Sequence, residues 1–156
     1  ASLVPPAPRV APASPGAAAI AETVSPIPAP LRSYIGDDFA ALPWKRVLRG
    51  IYEVRLPIWR EPVRVRLLLA RSGCALPQHG HRGNEMLLVL QGAFQDARGR
   101  VGRGDLDWCD EEIEHQPVVE VGMDCICLSV TDAPLRLTGP FGRWLDPLVR
   151  FKIVKF

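Results

Sequence analysis

No stretch of this chain approaches the roughly 18 consecutive apolar residues that a membrane-spanning helix needs. The first residues also lack a basic segment followed by a continuous apolar run, so no secretory leader is expected there. Charge of one sign is missing too. With 19 basic and 17 acidic residues, the formal net charge is only +2, too small to argue for nucleic acid or a membrane surface as a direct partner. Four cysteines are present, Cys74, Cys109, Cys125 and Cys127, but no C-x-x-C pair, which argues against a zinc finger or a thioredoxin-like motif. Without an export signal they are read as reduced, in a cytoplasmic protein. A long helical pattern is also absent. Histidine is scarce, with only His79, His81 and His115.

What remains is enough for one domain with a real core: 156 residues, 47% of them apolar. Residues 1–30 hold eight of the sixteen prolines and nine alanines, with Arg9 and Glu22 as their only charges. Proline removes backbone donors and alanine offers little to bury, so this stretch is expected to be an extended or disordered linker. The first residue is Ala1 rather than Met, and the chain is read as a piece of a longer protein. The domain proper is placed at 31–156. Within it, 51–56 and 63–67 alternate apolar and polar residues, as half-buried strands do. Met86 to Leu90 reads as a buried strand, and Ala93 to Gln95 as the start of another before a turn at 96–99. Further short strands are expected at 106–109, 116–120 and 125–130, and a short helix near 144–149. Strands at such spacings predict an all-β sandwich or barrel.

The three histidines fall where a single metal site would need them. His79 and His81 are two residues apart, so on a strand they share a face. Glu85 keeps that parity across the bend at 82–84, and His115 would come from a later strand. Imidazole and carboxylate are ordinary ligands for zinc, iron or manganese. The alternative is a set of unrelated polar residues. Burying two histidines and a glutamate without partners beside an apolar strand would be costly, and a metal ion removes that cost. Glu114 neighbours His115, but adjacent strand residues face opposite ways, so it is not counted as a ligand. Residues 105–124 carry eight acidic and no basic residues; they read as a solvated acidic loop or as a field favouring a cation or basic partner. Cys125 and Cys127 share a strand face. They are read as core packing or, if an oxidant reaches their thiolates, as a redox pair.

Gly73, His79, His81, Glu85 and Gly92 keep the spacing of glycine, five residues, H-x-H, three residues, Glu, six residues, glycine. That resembles the first motif of the cupin superfamily, whose fold is an RmlC-like jelly-roll β-barrel. Gly104 and His115 keep the spacing of the second motif, while Asp110, Glu112 and Val119 replace its proline, glycine and asparagine. A closer resemblance runs from Pro77 onward. Gln91-Gly92-x-Phe94-x-Asp96, Gly99-Arg100-x-Gly102-x-Gly104-Asp105, Glu114-His115-Gln116-Pro117, Cys125-x-Cys127-Leu128 and Thr131 to Arg136 are similar to the ChrR-type anti-sigma factor cupin domain.

The resemblance implies one divalent metal ion held by His79, His81, Glu85 and His115. Zinc is favoured, with iron, manganese or nickel as alternatives. It implies a regulatory role without turnover: release of an extracytoplasmic-function (ECF) sigma factor under oxidative stress such as singlet oxygen or organic hydroperoxide. Oxidation at the ligands or at Cys125 and Cys127 would loosen the site. Family members bind the sigma factor through a separate helical amino-terminal domain with its own His and C-x-x-C zinc site, which this sequence lacks. The other reading is a small metal-dependent cupin enzyme such as a dioxygenase, and a third is a sugar- or small-ligand-binding cupin; the cavity would be lined by Trp108, Met86, Leu88 and similar residues. A homodimer is compatible with each.

Overall fold

The computed structural model describes residues 27–58 and 62–139. Most of the expected linker, and the helix expected near 144–149, lie outside them. The chain enters through α1 (Ala29–Ile35), which starts with Pro30 in its first turn, where a missing N–H costs nothing, and ends at Gly36. A 3-10 turn at Phe39–Ala41 follows, capped by Asp38, whose carboxylate accepts from the Ala40 N–H. Twelve strands come next: β1 (Lys45–Leu48), β2 (Ile51–Arg55), β3 (Arg64–Ala70), β4 (His79–His81), β5 (Glu85–Gln91), β6 (Ala93–Asp96), β7 (Gly99–Gly102), β8 (Leu106–Cys109), β9 (Glu114–His115), β10 (Val118–Val119), β11 (Cys125–Thr131) and β12 (Leu135–Leu137). The all-β reading holds.

Six strands form one antiparallel sheet in the order β1-β2-β3-β11-β5-β8; β10-β6-β7 and β12-β4-β9 form two smaller sheets. Alternation along β5 assigns its two faces. Glu85, Leu87 and Val89 are buried on one side, while Leu88 and Leu90 join the cluster on the other. The outer cluster is roofed by Ile27, Ile35 and Phe39 from the entry segment, packed on Val54, Leu67 and Ile126. The inner cluster joins Ala70, Leu87, Val89, Phe94, Val119, Cys125 and Cys127.

This parity corrects the expected cavity lining. Met86 and Leu88 face away from the interior, and Trp108, their neighbour on β8, is 56% exposed. The interior is lined instead by Leu87, Leu68, Phe94, Leu76 and Val119, around a cavity of about 110 Å³ that reaches His79 and Glu85.

Two glycines permit close approaches that hold the site. Gly92 has φ +70, and a side chain there would meet the Asp124 carbonyl. Gly83 lies in the bend between β4 and β5, where a Cβ would collide with Asp132. Asp132 clamps that bend by accepting from the Asn84 N–H at 2.7 Å and from its side-chain amide at 2.9 Å. The clamp fixes where β5 starts, and so where Glu85 sits.

Candidate metal centre

His79 and His115 are direct cross-strand partners on β4 and β9, while His81 lies two residues along β4 on the same face. Their rings lie 4.6 to 5.3 Å apart between centroids, and each offers a nitrogen within 4.8 Å of the other two. All three, and Glu85, are at most 5% exposed. Glu85 borders the trio: its Oε2 lies 3.6 Å from His81 Nε2, and its Oε1 accepts from Ser129 Oγ at 2.9 Å. Three of the four residues singled out by spacing, the histidines, therefore converge, and the fourth, Glu85, adjoins them through His81. Glu114 points to solvent, where it accepts from the Gln78 amide.

The hydrogen bonds orient the rings. His79 Nδ1 lies 2.7 Å from the Pro77 carbonyl oxygen, which can only accept, so Nδ1 carries the proton. His115 Nδ1 lies 2.8 Å from Asp96 Oδ2 and 2.9 Å from Arg98 Nη2; the ionised carboxylate can only accept, which favours the proton on Nδ1 and leaves Arg98 to the carboxylates. Both rings then present a bare Nε2 lone pair inward, and these two atoms stand 3.1 Å apart. Two acceptors at that distance repel unless a shared proton or a metal cation sits against both. Both ring nitrogens of His81 are buried without any hydrogen-bond partner, a costly arrangement for polar atoms. Such a donor set could hold a divalent metal ion, with carboxylate and carbonyl partners behind the imidazoles as metal-binding histidines usually have.

Electrostatics keep the rings in their ligating form. Burial holds His81 below the ordinary histidine range; Glu85 pulls the other way, while His79, His115 and Arg98 push further down. Burial and then His79 lower His115 as well, against the opposing pull of Asp96.

Asp96 and Arg98 were not singled out as site residues in the sequence. They sit at the tip of the β6–β7 hairpin, where the Asp96 carboxylate accepts from the Arg98 N–H at 2.8 Å. The Arg98 guanidinium folds back to donate to Asp96 and Asp107, each at 2.8 Å. Burial alone would raise the Asp96 carboxyl, but hydrogen bonds from Arg98 and His115 outweigh it and keep the group ionised. Asp107, Cys109 and His115 form a second group with metal-ligand spacing. There the cation is Arg98 itself, 2.9 Å from His115 Nδ1. Burial, then Asp107, pushes the Cys109 thiol up to about 12, so it stays protonated. The Asp96-x-Arg98 spacing around the expected turn was the available signal: a short acceptor and a long donor at a hairpin tip.

The turn before His115 lacks the proline and glycine of the second motif. Asp110 makes it instead, accepting from the Glu112 N–H on its side chain and from Ile113 on its carbonyl. The acidic run is partly neutralised, since Asp107 pairs with Arg98, Glu120 with Arg100 and Asp124 with Arg71. Cys125 and Cys127 are buried on the inner face with their sulfurs 3.7 Å apart, in hydrogen-bond contact but not joined as a disulfide. The bond between the thiols keeps the Cys127 proton in place, aided by burial, and favours ionisation at Cys125.

Asn at position 96 would keep the shape but hold His115 less firmly. Asp96→Asn is expected to weaken metal affinity about 10- to 100-fold, measured by competition with a chelator of known affinity.

The family model of the ChrR cupin-like domain matches residues 34–134. The anti-sigma-E factor ChrR of Cereibacter sphaeroides is 46% identical over 123 residues, covering 79% of this chain and 57% of that protein. The chain thus spans little more than half of that relative's length. In the solved structure of Rhodobacter sphaeroides SigE in complex with the anti-sigma ChrR, the matching chain superposes with TM-score 0.66 at 41% identity, over 79% of this chain and 70% of that one. An RmlC-like cupin protein from Ralstonia eutropha JMP134 matches with TM-score 0.55 at 18% identity, over 67% and 72%, a likeness of fold alone. The fold is the cupin barrel expected from the sequence.

Proposed function

We propose, from the premise that this chain belongs to the ChrR cupin-like domain family, that it is the metal-binding regulatory module of an anti-sigma factor. The carrying observation is the facing pair of bare Nε2 atoms on His79 and His115 beside the unpartnered nitrogens of His81. His79, His81, His115 and Glu85 would hold one divalent ion. Zinc fits best, because three imidazoles and one carboxylate complete a four-coordinate shell with no open position. The bound ion would supply a fixed positive charge joining β4, β5 and β9, so that site integrity and barrel packing change together.

The partner in this reading is an ECF sigma factor in the cytoplasm, held through a helical domain outside this chain. No helix among the described residues is long and apolar enough to cross a membrane. The signal is oxidative stress, singlet oxygen or an organic hydroperoxide. Cys125 is the more readily ionised of the two inner thiols, since the contact with Cys127 lowers its pKa and raises that of Cys127. A hydroperoxide would transfer one oxygen to Cys125, giving a sulfenic acid and the corresponding alcohol. The added oxygen must then be fitted into a packed interior next to the site, which loosens it.

The test is a reporter strain carrying the parent protein and its sigma factor. Wild type is expected to induce sigma-dependent transcription on hydroperoxide treatment. Cys125→Ser and His115→Ala are expected to lose most of that induction while still co-purifying with the sigma factor. Full induction in both variants contradicts the proposal.

The cavity of about 110 Å³ beside His79 and Glu85 favours one second reading, a small metal-dependent enzyme such as a dioxygenase. Oxygen uptake by iron-loaded protein with a small apolar substrate would support it.

A further inference from the structure

The outer face of the six-stranded sheet is apolar from β2 to β8, but its roof is incomplete. Ile27, Ile35 and Phe39 cover the middle of the face. Toward the β8 edge, Leu106 is 60% and Trp108 56% exposed. Trp108 is the register partner of Met86, and Met86 of Val130, so an apolar row runs from the core out to this open edge. Acidic residues surround the edge: Asp105 precedes the strand, and Asp110, Glu111 and Glu112 follow it.

Residues 140–156 have the opposite character. Nine of the 17 are large apolar residues, among them Trp144, Leu148, Phe151, Ile153 and Phe156, with four basic residues against Asp146. So much apolar surface is costly to leave in water, and its positive charge complements the acidic surround. The described chain also ends within one side chain of Glu114, which follows those acidic residues in sequence. Gly139 lies against Gln78, whose side chain donates to Glu114 of the acidic segment. From there 17 residues can extend about 56 Å at ~3.3 Å each, ample to reach the β8 edge.

We propose that residues 140–156 dock across Met86, Leu106 and Trp108 and complete the roof of the sheet, with their basic side chains toward Asp105 and Asp110 to Glu112. The inner face of β8 carries Asp107 and Cys109 beside the candidate metal centre.

The first test places the photoreactive residue p-benzoylphenylalanine at position 106 of the full chain. An equal mixture of ¹⁴N- and ¹⁵N-labelled protein is irradiated and the crosslinked peptides are identified by mass spectrometry. Crosslinks within single molecules, from position 106 into residues 144–156, are expected. Mixed-isotope crosslinks would assign the face to a second copy, and crosslinks that avoid 140–156 would assign it to another occupant. Either result overturns the proposal. The second test is limited trypsin digestion of Trp108→Ser. Cleavage after Arg150 and Lys152 is expected to accelerate at least tenfold with bound metal unchanged, and an unaltered rate overturns the proposal.

Discussion

Removing the metal ion by chelation at neutral pH is expected to lower the melting temperature by about 10–20 °C. A ligand present at about a thousandfold over its dissociation constant stabilises the folded state by about 4 kcal/mol, and each kcal/mol moves the midpoint of a domain this size by several degrees. The metal-free domain should also be acid-sensitive. Burial, before any charge, places His81 and His115 below the ordinary histidine range in the folded state. As pH falls through about 6.5, unfolded histidines take up protons that the folded ones refuse. The unfolded state then binds more protons, so stability declines with acidification below that point. Above it, both states hold neutral rings and the histidines contribute no slope. Differential scanning fluorimetry of the chelated protein from pH 8 to pH 5 measures this. A metal-free midpoint that is flat or rises toward pH 5 would contradict the burial of His81 and His115 as neutral imidazoles.

Arg98→Ala is expected to be the most damaging change outside the histidines. Its guanidinium is the shared partner of Asp96 and Asp107, both nearly buried, and two carboxylates and His115 would lose their common cation. Breaking a fully buried pair costs about 3–5 kcal/mol. The Arg98 side chain is 34% exposed, and solvent screening reduces the figure to about 2–3 kcal/mol. Urea denaturation gives the stability. Metal affinity should fall with it, because Asp96 loses the bond that fixes it behind His115. Arg98→Lys should recover little, since one ammonium cannot reproduce a planar fork. A loss under 0.5 kcal/mol would remove Arg98 from the support of the site.

The candidate ligands were legible because parity on a strand depends only on residue spacing. His79, His81 and Glu85 share a face through any regular strand and short bend, and the structure buries them together. The same parity places Leu87 and Val89 inside, so Met86, Leu88 and Trp108 belong outside; their size and apolarity alone had suggested the cavity. Leu88 packs into a second apolar layer, roofed by Ile27, Ile35 and Phe39, which no strand pattern announces, while Trp108 stays largely exposed. Strands β9, β10 and β12, two or three residues each, are too short to show a period. The roles of Asp96 and Arg98 were hidden for a different reason. They depend on a hairpin tip meeting a strand 17 residues away, a contact that exists only once the sheets close. The replacement of the usual turn before His115 by Asp110 is local and could have been read from the sequence, since an aspartate two residues before a turn N–H is an ordinary turn former.

The most direct test of the central claim is elemental analysis of the purified chain beside Glu85→Ala and His115→Ala. The account predicts one zinc ion per wild-type chain, near-complete loss in His115→Ala, and a marked loss in Glu85→Ala, both variants keeping the β-sheet circular dichroism of the parent. Undiminished metal in both variants would contradict the four-ligand site.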